Sequence, residues 1–136
     1  MKDYNGLLRK AREQAGINRE TLAKRLGVNV RCVVDHELGG SEPQLSYCIR
    51  TADTLHISID ELIGREHKPL WVVAKPQEWR ETFGITQKEL ADKALVSRGA
   101  LRGLENGTHD TRIGIVEMLA DALELGVDEY LGHEVQ

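Results

Sequence analysis

Hydrophobic residues recur at helical spacing along most of the chain, with polar residues between them. In the first stretch, Leu7, Leu8, Ala11 and Ala15 follow an i, i+3/i+4 pattern that stops at Gly16. Glycine readily takes the left-handed conformation that ends many helices. The same signals continue along the chain as further apolar positions, caps and glycines. They predict five short helices in the first 64 residues, at 7–15, 19–26, 29–38, 44–55 and 60–63.

The same pattern then occurs a second time. Shifting the chain by 68 residues aligns residues 8–64 with 76–132 without a gap, and 15 of the 57 aligned pairs are identical. Other pairs stay apolar, such as Val33 with Leu101, so the two halves are expected to bury similar faces. We therefore predict an all-α fold of two tandem five-helix domains, 1–64 and 76–136, joined by a connector at 65–75. The helices expected in the second domain are 77–83, 87–94, 98–106, 112–123 and 128–131.

Each half contains two short helices joined by a tight turn. Asn18 and Asn29 suit the N-caps of the two helices in the first half, and Gly27 suits the turn between them. Thr86 and Ser97 suit the N-caps of the matching helices in the second half. Two helices in this arrangement are typical of a helix-turn-helix motif.

Several motifs closely resemble the lambda-repressor-like (XRE/Cro-type) family of DNA-binding domains. In the second half they are Ile85-Thr86-Gln87-Lys88-Glu89-Leu90-Ala91, Val96-Ser97-Arg98, Leu104-Glu105-Asn106-Gly107 and the stretches 119–123 and 127–132. The first half shows the same frame at 8–13, 21–23, 27–28 and 57–62. The resemblance covers nearly the whole chain apart from the connector. It implies double-stranded DNA as the partner and transcription regulation as the role.

The resemblance also implies which residues contact DNA. In the family, a glutamine that opens the second helix holds a phosphate; Gln87 matches it, whereas the first half has Arg19 there. The third helix of the family enters the major groove and reads bases. The implied DNA-binding residues of that helix and its cap are Asn29, Val30, Arg31 and Asp35 in the first half, and Ser97, Arg98, Gly99 and Gly103 in the second.

The side chains at the first half's positions differ in chemistry. Arg31 suits guanine O6 and N7, and Val30 suits a thymine methyl group. Asp35 suits the amino group of cytosine, but its charge also repels phosphates.

In the second half, Arg98 and Arg102 stand one turn apart on the same helical face, and both suit phosphate or guanine. Gly99 and Gly103 each cost about 1 kcal/mol of helix stability relative to alanine. Two interpretations stay open for them. The glycines bring the helix backbone close to the groove, or they allow close helix packing where base-reading side chains have been lost.

Composition and charge narrow the function further. The chain has 136 residues, 40% of them apolar and 29% charged, and a net charge of −4. Residues 1–68 carry a net charge of +1 and residues 69–136 of −5, so binding to nucleic acid has to use local patches, and non-specific affinity should be weak. No apolar run approaches the roughly 20 residues that span a bilayer. The expected location is the cytoplasm, without membrane contact.

Cys32, His36 and Cys48 suggest a metal site, but their repeat partners are apolar and a fourth ligand is not evident, so we expect core packing and no metal. We also expect no cofactor and no enzymatic activity, because neither a nucleophile with its base nor a glycine-rich phosphate loop is present. The resemblance implies structural ion pairs between Arg12 and Glu37 and between Arg80 and Glu105.

The connector contains Leu70, Trp71, Val72 and Val73 between two prolines. Four large apolar residues in a row are unfavourable in water, so we expect them to pack between the halves or against a second chain. The resulting hypothesis is a sequence-specific regulator, most simply a repressor of a bacterial, phage or mobile-element operon, acting as a homodimer or an intrachain pseudo-dimer. The alternative is a protein-interaction module, such as an anti-activator, in which one or both DNA-binding surfaces are lost.

Overall fold

A computed structural model describes residues 2–67, 70 and 73–136 of the chain. Every regular element in these ranges is a helix, as the hydrophobic pattern predicts. The helices are α1 (Tyr4–Gln14), α2 (Arg19–Leu26), α3 (Val30–Leu38), α4 (Leu45–Leu55), α5 (Ile59–Leu62), α6 (Pro76–Phe83), α7 (Gln87–Ala94), α8 (Arg98–Asn106), α9 (Ile113–Ala122) and α10 (Val127–Leu131). None of them is long and apolar enough to cross a membrane. Below, α1–α5 are the first unit and α6–α10 the second unit.

Short polar side chains begin the helices where the sequence predicts them. Asn18 Oδ1 accepts the backbone N–H of Thr21 at 2.8 Å, which caps α2. Asn29 caps α3, Thr86 caps α7 and Ser97 caps α8 in the same manner. Each cap satisfies a backbone donor that the helix itself leaves unpaired.

The first helix starts earlier than its apolar pattern indicates. It begins at Tyr4 because Asp3 accepts the backbone N–H of Gly6 and caps the helix there. All other predicted helices agree with the structure to within about one residue at each end.

Both units bury the same repeat positions. Leu22, Ala23 and Val33 in the first unit are fully or almost fully buried, and so are Leu90, Ala91 and Leu101 in the second. These side chains lie where the second and third helices of each unit face the interior. The shared core therefore orients α3 and α8 in the same way within their units.

The two units are joined by contacts that come in pairs related by the 68-residue repeat. The Leu45 N–H donates to the carbonyl of Thr111 at 2.7 Å, and the Ile113 N–H donates to the carbonyl of Pro43 at 3.1 Å. These bonds flank an isolated antiparallel bridge between Gln44 and Arg112, which are themselves repeat partners. An interface in which each partner offers the same patch has the form of a two-fold symmetric dimer.

Carboxylates extend this pairing by capping helices of the opposite unit. Asp60 accepts the N–H groups of Val127 and Asp128 at the start of α10. Asp128 in turn accepts those of Ile59 and Asp60 at the start of α5, at 3.0 and 2.6 Å. All these groups are buried, so each unit supplies hydrogen-bond acceptors that the other would otherwise lack.

A second pair of caps lies at the starts of α4 and α9. Asp110 accepts the N–H of Ser46 at 2.9 Å, and its repeat partner Glu42 accepts the N–H of Gly114. A Cβ at Gly114 would overlap the Glu42 carboxylate as it lies here, so a larger residue would require that side chain to move. The interface is therefore built from reciprocal hydrogen bonds as well as from apolar packing.

The connector agrees only in part with the expectation of packed apolar residues. Trp71 and Val72 lie outside the described residues. Val73 is 57% exposed within this chain, Leu70 is half-buried and the following Ala74 is buried, so packing of the segment against a second chain stays a prediction. The segment passes close to Gly132. A Cβ on that glycine would lie only 2.7 Å from the Ala74 carbonyl oxygen, so a larger residue at position 132 would displace this backbone.

Candidate nucleic-acid interface

The helix-turn-helix motif of the first unit places α3 on the surface with one polar face. Arg31 and Asp35 are strongly exposed on it, and Val30 is also exposed. Val33 and Glu37 lie on the opposite face and are buried. The base-reading positions implied by the sequence therefore share one accessible face of α3.

Arg31 and Asp35 contact each other across one turn of this face. The Arg31 Nε lies 3.4 Å from Asp35 Oδ1. The sequence analysis placed both residues on the helix surface but did not predict the ion pair between them. The signal for it is their i, i+4 spacing, at which opposite charges on a helix attract.

The corresponding helix of the second unit presents two cations. Arg98 and Arg102 are both exposed on α8. Within the described part of the chain, neither arginine lies within ion-pair distance of a carboxylate. Their charges are thus directed at solvent or at a ligand, as the spacing predicts.

The two glycines of α8 have different surroundings. Gly99 is exposed, and a Cβ added there would meet no atom within 4 Å. Gly103 is buried beneath the His109 side chain. A Cβ added there would lie 2.8 Å from Nδ1 and 3.0 Å from Cβ of His109. The close-packing interpretation therefore fits Gly103, and His109 covers the backbone that the other interpretation would bring to a groove.

Arg19 and Gln87, which open α2 and α7, both reach toward a buried glutamate. The Arg19 Nε donates to Glu37 Oε1 at 2.9 Å, and the Gln87 Nε2 donates to Glu105 Oε1 at 3.0 Å. Each of the two predicted phosphate-binding side chains therefore already uses one N–H donor for a glutamate of its own unit. Each keeps further N–H donors for a ligand.

The same glutamates hold the predicted structural ion pairs. Arg12 binds Glu37 with two N–H groups at 2.7 and 3.0 Å, and Arg80 binds Glu105 at 3.0 and 3.1 Å. Burial alone would raise the pKa of Glu37, but hydrogen bonds from Arg12 and Arg19 outweigh it and lower that pKa. The carboxylate therefore stays ionised and ties α1, α2 and α3 together.

Cys32, His36 and Cys48 are not arranged as a metal site. His36 stacks on the ring of Tyr47 at 3.6 Å between centroids, and its Nδ1 lies 2.7 Å from the Cys32 carbonyl oxygen. Burial raises the pKa of the Cys48 thiol to about 12, so this side chain stays protonated and packs like a small apolar residue.

The sequence did not reveal a cluster of the buried Asp60 and Asp128 with the half-buried His67, whose ligand atoms lie within 4.8 Å of one another. Its carboxylate oxygens already accept backbone N–H groups from two helix starts. Arg65 adds positive charge beside them, and so does His133 when it is protonated. This environment favours anionic caps over a cation site.

Comparison with known proteins agrees with this geometry. A family model described as helix-turn-helix matches the chain twice, at residues 8–62 and 77–130. No curated protein and no solved structure matches the chain. The two matched regions contain α2–α3 and α7–α8 and together cover most of the sequence. The chain belongs to the helix-turn-helix family of XRE and lambda-repressor-like regulators, with two such regions in tandem.

Proposed function

We propose that this protein is a sequence-specific repressor that binds double-stranded DNA as an intrachain pseudo-dimer. The observation that carries the proposal is the set of reciprocal contacts between the units. Asp60 and Asp128 each cap a helix of the opposite unit, and Pro43 and Thr111 each accept a backbone bond from it. One chain thus supplies the two-fold arrangement that other helix-turn-helix proteins obtain from two subunits.

The arrangement supports binding to two half-sites at once. Helices α3 and α8 enter successive major grooves, whose centres are about 34 Å apart along one face of the DNA. Because the units are covalently linked and their interface is formed in the free chain, the second helix binds without a further association step. Occupation of a promoter by such a chain blocks access to it, which is the simplest route to repression.

The charge distribution supports only a few local contacts to phosphate and therefore a modest affinity for DNA. The net charge is −4, and the exposed cations of the recognition helices are few: Arg31 on α3 and Arg98 and Arg102 on α8. Counterion release by a few arginines gives modest affinity with a shallow salt dependence. Recognition of the preferred site then depends on the contacts to bases.

The same charges favour the second candidate, a protein-interaction module such as an anti-activator. Asp35 places a carboxylate on the predicted DNA-facing side of α3, and the second half of the chain carries a net charge of −5. A surface of this kind repels DNA and suits a basic partner.

Selection from a random duplex library with the full chain distinguishes the two candidates. We expect an enriched site with two unequal halves, bound by one chain per duplex in sedimentation or mass measurements at two salt concentrations. A site bound by two chains would contradict the intrachain pseudo-dimer while preserving DNA binding. No enrichment over random DNA would reject the repressor and favour the interaction module.

A further inference from the structure

We infer that Asp35 is a positioning residue for Arg31, and that this pair makes base reading one-sided, with guanine read by the first unit only. The inference rests on the proposed DNA binding and names the specificity of that site. It starts from the contact between Arg31 Nε and Asp35 Oδ1 at 3.4 Å on the exposed face of α3.

The contact with Asp35 uses only the Nε of Arg31 and leaves the two terminal nitrogens for a base. The Nε faces the Asp35 carboxylate, so both terminal nitrogens remain available for a ligand. A bidentate contact to guanine O6 and N7 needs two N–H groups of a guanidinium held in one plane. An exposed arginine otherwise samples many rotamers, and a carboxylate one turn away reduces the entropy lost on binding.

The surroundings of the pair favour a functional role over a stabilising one. The side chains of Arg31 and Asp35 are 81% and 65% exposed, so the pair adds little to the stability of the fold. It lies instead on the face where Val30 is also exposed. Placed in a groove and desolvated, the same contact strengthens.

The second unit lacks this pair altogether. Gly99 and Gly103 occupy the repeat positions of Arg31 and Asp35, and His109 covers Gly103. The exposed cations of α8, Arg98 and Arg102, are instead the repeat partners of Val30 and Val34. The two helices therefore present different chemistry in the same frame.

This difference has a consequence for the DNA site. Helix α3 reads guanine through a held arginine, while the exposed arginines of α8 suit phosphates and α8 has no side chain at the position of Arg31. The preferred site carries a required guanine in one half only. The chain consequently binds in one orientation, unlike a symmetric dimer on a palindrome.

A double-mutant cycle on the selected site tests the positioning role. The measured quantity is the discrimination ratio, which is the dissociation constant for the site with adenine in that position divided by the one for the site with its guanine. We expect Asp35→Ala to lower this ratio about tenfold, within the range for loss of one bidentate base contact. Asp35→Glu should restore part of it. In the Arg31→Ala background, Asp35→Ala should change the ratio less than about twofold, because the aspartate acts through the arginine.

Glu13→Gln is the matched control. Glu13 forms the same kind of exposed i, i+4 pair with Arg9 on α1, at 3.3 Å, so the variant removes one negative charge and one ion pair elsewhere in the unit. We expect the ratio to stay unchanged in this variant. Circular dichroism of every variant checks that the helices remain formed.

Three results would overturn the inference. Equal effects of Asp35→Ala with and without Arg31 would show that Asp35 contacts a base directly. An unchanged ratio in Asp35→Ala would remove its role, and a required guanine in both halves would remove the one-sided reading. Each of these leaves DNA binding intact. Failure of the unmodified chain to select any site would reject the proposed function and the inference together.

Discussion

At the scale of single residues, the ion-paired arginines and the exposed arginines of α8 differ in their roles. Arg12 and Arg80 are held by buried glutamates and stabilise the units. Arg98 and Arg102 are exposed on α8 and, among the described residues, lie near no carboxylate. The repeat separates these groups, because the ion-paired Arg12 and Arg80 are repeat partners, whereas the repeat partners of Arg98 and Arg102 are valines.

The arginines of α8 are expected to bind phosphates. Arg98→Ala and Arg102→Ala should each weaken DNA binding by about 1 kcal/mol at low salt, to a similar extent for preferred and random duplexes. The slope of log K against log salt should become shallower by about one in each variant. Titrations at several salt concentrations measure both effects.

Lys10→Ala is the control for this prediction. Lys10 is an exposed cation of the first unit beside Leu55 and Glu61, away from α3. Its loss removes the same charge from the chain. A salt slope that falls equally in Lys10→Ala would mean that general charge, and not the position of the arginines on α8, determines affinity.

At the scale of elements, the turn between the two motif helices differs between the units. Gly27 ends α2 with a φ of 72°, whereas its repeat partner Leu95 ends α7 with a φ of 60°. Leucine is strained in this left-handed region, and its side chain is 84% exposed, so packing does not compensate. The second turn is therefore less stable than the first.

Exchanging these residues should change stability in opposite directions. Leu95→Gly should raise the free energy of unfolding by about 1 kcal/mol, and Gly27→Leu should lower it by about the same amount. Urea denaturation followed by circular dichroism measures both midpoints. A lower midpoint for Leu95→Gly would show that the leucine makes a stabilising contact despite its exposure.

At the scale of the whole molecule, matched cations bridge the units on both sides of the pseudo-two-fold interface. Arg65 binds Asp60 of its own unit at 3.3 Å and Asp121 of the other at 2.9 Å. Its repeat partner His133 binds Asp128 and Asp53, both at 2.7 Å. Asp53 and Asp121 are also repeat partners. The two bridges are thus equivalent, but one uses a cation that titrates near neutral pH and the other does not.

The histidine bridge should make the stability of the interface depend on pH. The hydrogen bond to Asp128 raises the pKa of His133, burial opposes it, and the contact with Asp53 raises it further. A raised histidine pKa stabilises the folded state most fully below the unfolded value of about 6.5, and this contribution is lost as pH rises through the folded pKa. The free energy of unfolding should therefore fall from pH 6 to pH 9.

His133→Arg is the matched variant, because it places the residue of the first bridge in the second. It should keep the stability that the unmodified chain has at pH 6 and lose most of the decrease toward pH 9. His133→Gln should be less stable at pH 6 and also nearly independent of pH. Urea midpoints at several pH values test this. An undiminished decrease in His133→Arg would assign the pH dependence to another group, such as Asp60, whose pKa burial raises to about 6.

The amino-acid sequence by itself determined the helices, the duplication and the family. These depend on local signals that survive without knowledge of the packing: the apolar spacing, caps such as Asn29 and Ser97, and the 68-residue repeat. The ion pairs of Arg12 and Arg80 were also predicted, since they follow from family positions. Placement of α3 and α8 within each unit follows from the same information.

Only the tertiary structure decided how the two units meet and which surface residues are held. The caps by Asp60 and Asp128 join residues 67 to 69 positions apart, and the bridge from His133 to Asp53 spans 80 positions. No local pattern records such partners, because they arise when separate helices pack. In the same way, His109 folds over Gly103 while Gly99 stays open, although both are helical glycines with the same local preference. Side-chain surroundings, which distinguish these positions, are set by the packing of the whole chain.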